Sequence, residues 1–116
     1  MTWRTALAYD GARAVVTVTG EIDMASEASL RAAIDTTLER DPAPIEVTID
    51  LSEVTFLDSA GIRALLLSHH RATARGVLLR VRDPRPSVAS VLQITRVHTL
   101  LGLTLPAEAE RPRRPR

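Results

Sequence analysis

Apolar and polar residues alternate without a break in Ile45-Glu46-Val47-Thr48-Ile49-Asp50, the period-two signature of a strand with one buried face. Two more strands are expected upstream, at residues 3–9 and 14–19. The second, Ala14-Val15-Val16-Thr17-Val18-Thr19, is rich in β-branched residues, and Gly20 closes it. Asp10-Gly11 between them is a hairpin signal, with Ala12-Arg13 leaving the turn length open. Over residues 25–40 the period changes. Leu30, Ala33, Ile34 and Leu38 recur at helical spacing, while Glu27, Arg31, Asp35 and Glu39 take the opposite face. Asp41-Pro42-Ala43-Pro44 stops this helix, because proline disfavours helix in the residue before it.

After residue 50 a loop is expected over Leu51–Asp58, then a second helix from Ser59 to Arg75. Its apolar stripe reads Ile62, Leu65, Leu66, Ala72 and Thr73, and Gly76 stands where a helix C-cap belongs. Val77–Arg82 reads as a strand and Pro86 as a first helical residue. Val88, Val91, Leu92 and Thr95 line a third helix ending near Val97, and Leu103-Thr104-Leu105 suits a short edge strand. The order β-β-α-β-α-β-α specifies an α/β fold. Its mixed sheet has four to five strands, an N-terminal antiparallel hairpin, right-handed crossovers between parallel strands, and helices packed against it.

The chain's 116 residues suffice for one domain with one core. That domain is expected at residues 1–105. Residues 106–116, made of Pro, Arg, Glu and Ala, read as a disordered, solvated tail. The formal charge of +1 is uneven: without the tail's four arginines and two acids, 11 basic residues face 12 acidic ones. That balance is no footprint for nucleic acid, and Trp3, Tyr9 and Phe56 are too few for a base-stacking platform. All 15 basic residues are arginine. With no cysteine there is neither disulfide nor thiolate metal site. No apolar run approaches the roughly 18 residues of a membrane span, and Met1-Thr2-Trp3-Arg4 lacks the pattern of a secretory signal. A cytoplasmic location is expected.

The end of a strand feeding a helix is where open α/β sheets carry functional groups, which draws attention to Asp58-Ser59-Ala60-Gly61. Ser59 falls at a helix start, where backbone N–H groups lack intrahelical partners. It can serve as the N-cap. It can equally serve as a phosphoacceptor, with the phosphate on the positive end of the helix dipole and Asp58 opposing that gain by like charge. Ser52, Thr55 and Ser68 are the other hydroxyls in this stretch.

Asp58-Ser59-Ala60-Gly61, preceded by Val47-Thr48-Ile49-Asp50-Leu51-Ser52 and followed by Ile62 and Leu65-Leu66-Leu67, resembles the STAS domain of bacterial anti-sigma-factor antagonists. Gly20-Glu21-Ile22-Asp23 is a second match, and Pro86-Ser87-Val88 through Val91-Leu92-Gln93-Ile94-Thr95 a third; together they span about residues 3–105. The resemblance implies partner switching. The unphosphorylated protein binds an anti-sigma factor that is itself a serine kinase, and a sigma factor is released. Phosphorylation of Ser59 then breaks the complex and a phosphatase restores it. It also implies a partner-binding face of Glu21, Ile22, Asp23, Met24, Asp58, Ser59, Ala60, Gly61 and Arg63. No cofactor, metal, nucleic acid or membrane is implied, and no enzymatic activity. The Arg-rich tail departs from the family pattern.

Two other readings use the same residues. A hydrolase built on Ser59, Asp58 and His69 or His70 fails on spacing. His69 lies about 15 Å along one helix from Ser59, where a nucleophile and its base need roughly 3 Å. His69, seven residues after Ile62, is expected in the apolar stripe, with His70 solvated and His98 remote. A standalone STAS scaffold, or a ligand-binding subunit of a transporter or sensory complex without a phosphorylation cycle, shares the scaffold and stays open.

Overall fold

The computed structural model describes residues 3–102. The chain runs β1 (Arg4–Asp10), β2 (Arg13–Ile22), α1 (Glu27–Leu38), β3 (Glu46–Leu57), α2 (Ser59–Ala74), β4 (Leu78–Arg82), α3 (Pro86–Ile94) and α4 (Val97–Leu100). The sheet order is β1-β2-β3-β4, with β1 antiparallel to β2 and the other pairs parallel. This is the mixed α/β sheet read from the sequence, with four strands among the described residues. The edge strand expected at Leu103–Leu105 and the tail at 106–116 lie outside them.

Gly11 and Ala12 alone turn the hairpin, since Asp10 already pairs with Arg13. Gly11 takes φ +60°, and a positive φ at the first turn residue matches the right-handed twist of the strands it joins. Along β2, Ala14, Val16, Val18, Gly20 and Ile22 are buried, and the residues between them are half-buried. Val47, Ile49, Leu79 and Val81 continue the covered face across β3 and β4. Leu30, Ile34 and Leu38 of α1, Ile62, Ala64 and Leu65 of α2, and Val88 and Leu92 of α3 complete the core. On the opposite sheet face Glu46 pairs with Arg13 (3.2 Å) and Arg80 (3.4 Å), and Asp50 with Arg82 (3.1 Å). Each such exposed pair contributes only about 0–1 kcal/mol.

Three expectations are corrected. The segment expected as a loop, from Leu51, is the second half of β3. Its buried residues Leu51, Val54 and Leu57 come every third position because the pairing with β2 slips twice, between Thr17 and Thr19 and between Gly20 and Glu21. Each slip inserts one extra β3 residue, a bulge that turns the next apolar side chain back to the core. On α2, Thr73 is exposed and Leu66 half-buried, while Gly61, Ala64 and Ser68 join the stripe. Small residues there let the helix lie close to its neighbours, and His69 is half-buried instead of sealed in the core. The third helix ends at Ile94, not near Val97, because Arg96 takes φ +60° and restarts the chain as α4. Beyond α4, the Leu101 carbonyl accepts from Val81 N (2.9 Å) and covers the outer edge of β4. Arg85 Nε donates to the Ser52 carbonyl (2.9 Å) and pins the start of α3 to β3.

Candidate functional site

The parallel pairing of β2 and β3 brings their C-terminal ends level, with Glu21 opposite Phe56 and Ile22 opposite Leu57. Asp58 N donates to the Ile22 carbonyl (3.3 Å), so the first residue after β3 is tied to the last of β2. Asp58, not Ser59, is the N-cap of α2. Its backbone is extended, and Oδ1 accepts from Ala60 N (2.9 Å) and Gly61 N (3.2 Å). A carboxylate at this position satisfies two of the donors every helix start leaves open and complements the helix dipole. Ser59 is therefore the first helical residue, exposed, and its hydroxyl bonds to no other described residue.

Beside it, residues 21–26 form a braced loop. The Ser26 hydroxyl donates to the Glu21 carbonyl (2.6 Å) and accepts from Asp23 N (3.0 Å). Asp23 Oδ1 accepts from Ala25 N (2.9 Å) and Ser26 N (3.2 Å), and the Asp23 carbonyl accepts from Glu27 N (2.9 Å) to begin α1. Ser26 is 7% exposed, so its hydroxyl holds the loop's shape from beneath. Met24 stands at the tip, 84% exposed.

The residues expected at the partner face thus converge from two segments, 21–24 and 58–63, though not all face outward. Met24, Ser59 and Arg63 are exposed, and Glu21, Asp23, Asp58 and Ala60 are half-buried. Ile22 and Gly61 are buried and stand behind that face. A β-carbon on Gly61 would lie 2.8 Å from both Cγ2 and the carbonyl oxygen of Ile22, and would collide with Leu57 Cδ1. Glycine is there because α2 crosses the β2 end too closely for a side chain. Of the other hydroxyls, Ser68 is sealed at 1% exposure, while Ser52 and Thr55 are exposed on β3.

Sequence reasoning passed over Phe56 and Ser26. Phe56 is 47% exposed beside Glu21, an aromatic left uncovered two residues before the α2 cap. Its signal was present: an isolated aromatic in the segment leading to the motif. Ser26 shows itself only through its bonds.

A family model described as "Mlab, STAS domain" matches residues 5–103. The chain belongs to the STAS-domain family. Among solved structures, an anti-sigma factor antagonist from Mycobacterium paratuberculosis is similar to this STAS domain at 27% identity and a TM-score of 0.73, covering 93% of this chain and 92% of that one. The phosphorylated form of the Bacillus cell fate determinant SpoIIAA shares the fold at 21% identity and a TM-score of 0.62, covering 91% and 96%. So does the STAS domain of a SulP transporter from Vibrio cholerae, at 19% identity and a TM-score of 0.69, covering 82% and 72%. No curated protein matches the chain. Among the described residues, no helix of this STAS domain is long and apolar enough to cross a membrane.

Proposed function

We propose that this STAS domain is an anti-sigma factor antagonist. It binds a cognate anti-sigma factor, itself a serine kinase, while Ser59 carries a free hydroxyl, and phosphorylation of Ser59 releases it. The cycle runs in the cytoplasm, a phosphatase resets it, and the ATP belongs to the kinase, so the chain needs no cofactor and catalyses nothing. The observation that carries this reading is the division of labour at the start of α2: Asp58 caps the helix, which frees an exposed Ser59 hydroxyl for a kinase. The likeness to the Mycobacterium antagonist supports it.

The partner face is Met24, Asp23 and Glu21 from the braced loop, with Asp58, Ser59, Ala60 and Arg63 from α2 and its cap. Phe56 supplies apolar area beside them. A phosphate on Ser59 finds the Ala60 and Gly61 N–H groups already bonded to Asp58. Its charge of about −1.5 to −2 then projects from the face instead of being absorbed by the helix start. Arg63, one turn along, is the nearest cation in sequence at the i+4 spacing where side chains meet. Dissociating a micromolar complex at micromolar concentration needs a loss of roughly 100-fold, about 2.7 kcal/mol. Desolvation and repulsion of a dianion in a packed interface are of that size.

A second reading is favoured by the description of the matching family model and by the Vibrio neighbour: a STAS scaffold or ligand-binding subunit of a transporter or sensory complex, with no phosphorylation cycle. One experiment separates them. The protein is incubated with candidate anti-sigma kinases and ATP, the modified residue is located by mass spectrometry, and binding of Ser59→Ala and Ser59→Asp to the same kinase is measured. Phosphate on Ser59, with Ser59→Ala bound persistently and Ser59→Asp at least tenfold more weakly, supports the switch. No modification together with equal affinities refutes it and favours the scaffold.

A further inference from the structure

We infer that β1 is a self-recognition edge through which two copies of this chain pair into one continuous eight-stranded sheet. The sheet has two edges. Beyond β4 lies Leu101, whose carbonyl accepts from Val81. Among the described residues β1 has β2 on one side only, and six of its seven residues are exposed. In an antiparallel strand every second residue aims its N–H and C=O away from its partner, so β1 presents a row of unpaired groups. Proteins blunt such edges with proline, bulges or a charge in mid-strand. β1, Arg-Thr-Ala-Leu-Ala-Tyr-Asp, has none of these: its charges stand only at the ends and its register with β2 is unbroken from Arg4 to Asp10.

The order of residues in β1 selects a second copy as the occupant. Place a two-fold axis through Leu7 and pair the strand antiparallel with itself. Leu7 then meets Leu7 of the second copy, Ala6 meets Ala8, Thr5 meets Tyr9, and Arg4 meets Asp10. Both terminal charges are matched, twice over by symmetry. Neither Arg4 nor Asp10 has an ion pair among the described residues, so both are available. The faces agree as well. Thr5, Leu7 and Tyr9 lie opposite Val18, Val16 and Ala14 on the covered face of the sheet, where Leu7 and Tyr9 remain 41% and 40% exposed. The pairing sets Leu7 against Leu7, places Tyr9, whose ring carries the Arg40 guanidinium at 3.7 Å, beside Thr5, and keeps the small Ala6 and Ala8 together on the other face. It is an isologous contact, closed at two copies. Ser59 follows β3, two strands from this edge, and stays free in the dimer.

Charge reversal tests the register itself. Arg4→Asp puts Asp opposite Asp10 of the second copy; Asp10→Arg puts Arg opposite Arg4. Sedimentation at low salt is expected to show the native chain in a monomer–dimer equilibrium and each single variant dissociating about tenfold more readily. Mixed in equal amounts, the two variants restore both ion pairs, and a heterodimer of native strength is expected. Leu7→Lys, which sets two like charges face to face on the axis, is expected to dissociate the dimer without unfolding an already exposed position. Should Asp10→Arg disturb the adjacent turn, as seen by circular dichroism, Leu7→Lys decides alone. A native chain that is monomeric up to about 1 mM, a dimer indifferent to these variants, or folded variants that stay apart when mixed would overturn the inference.

Discussion

Gly61→Ala isolates the close crossing on which the geometry of the Ser59 face depends. The added methyl would sit 2.8 Å from Ile22 Cγ2 and from the Ile22 carbonyl oxygen, against an ordinary carbon contact of about 3.5 Å or more. Leu57, the third group it meets, is 3% exposed and has little room to rotate away. The Ile22 carbonyl is backbone held by Asp58 N–H, so relief requires α2 to lift from the end of β2. Overpacking against backbone as well as side chains stands at the upper end of the usual cost, about 2–3 kcal/mol. Alanine's better helix propensity returns up to about 1 kcal/mol. The expected net loss is about 1–2 kcal/mol, measured by urea unfolding followed by circular dichroism. Leu57→Val shortens one of the colliding side chains, so the double variant should lose less than the sum of the two single losses. A Gly61→Ala protein as stable as the native chain, or strict additivity with Leu57→Val, would refute the crossing as the reason for glycine.

Removing the α2 cap by Asp58→Ala should lower stability by about 1 kcal/mol in thermal or urea unfolding, with Asp58→Asn retaining most of it because an amide oxygen also accepts from the helix start. Ser26→Ala strands the Glu21 carbonyl and the Asp23 N–H, and should cost about 1–3 kcal/mol with faster hydrogen exchange at Asp23. Acid should weaken the fold through Asp50. Burial pushes its carboxyl up, but hydrogen bonds from Ser52 and the Arg82 guanidinium together hold it below the usual carboxylate value. Its contribution is therefore complete above the unfolded value of about 3.9 and is lost as pH falls through the lowered folded value. Asp50→Asn should flatten the decline of unfolding free energy below about pH 4; an unchanged slope would contradict the assignment.

The hairpin was legible from Asp10-Gly11, β2 from its β-branched run, the first half of β3 from its unbroken alternation, and α1 from apolar residues at helical spacing. The second half of β3 was not, since two bulges turn a period of two into a period of three, and Leu51, Val54 and Leu57 then look like loop residues. Thr73 was assigned to the core by spacing alone, while the small Ala64 and Ser68, which carry little hydrophobic signal, hold the buried positions. At the site, the motif located Ser59 correctly at a helix start. The pattern could not say which of two adjacent residues, Asp58 or Ser59, does the capping, because both types suit it. Nor could it tell that Ile22 and Gly61 turn inward, which depends on the register between β2 and β3.

The two bulges also govern where the chain tolerates a change of length. Residues 51–57 read as a connector, and a designer seeking room for an epitope tag or a fluorophore-bearing residue would choose them. One inserted residue there, with no further bulge to absorb it, would exchange inward for outward side chains beyond it and turn Leu57 toward water and Phe56 toward the helices. The permissive place is the exposed stretch at 39–43 between α1 and β3, where no ladder has to stay in phase.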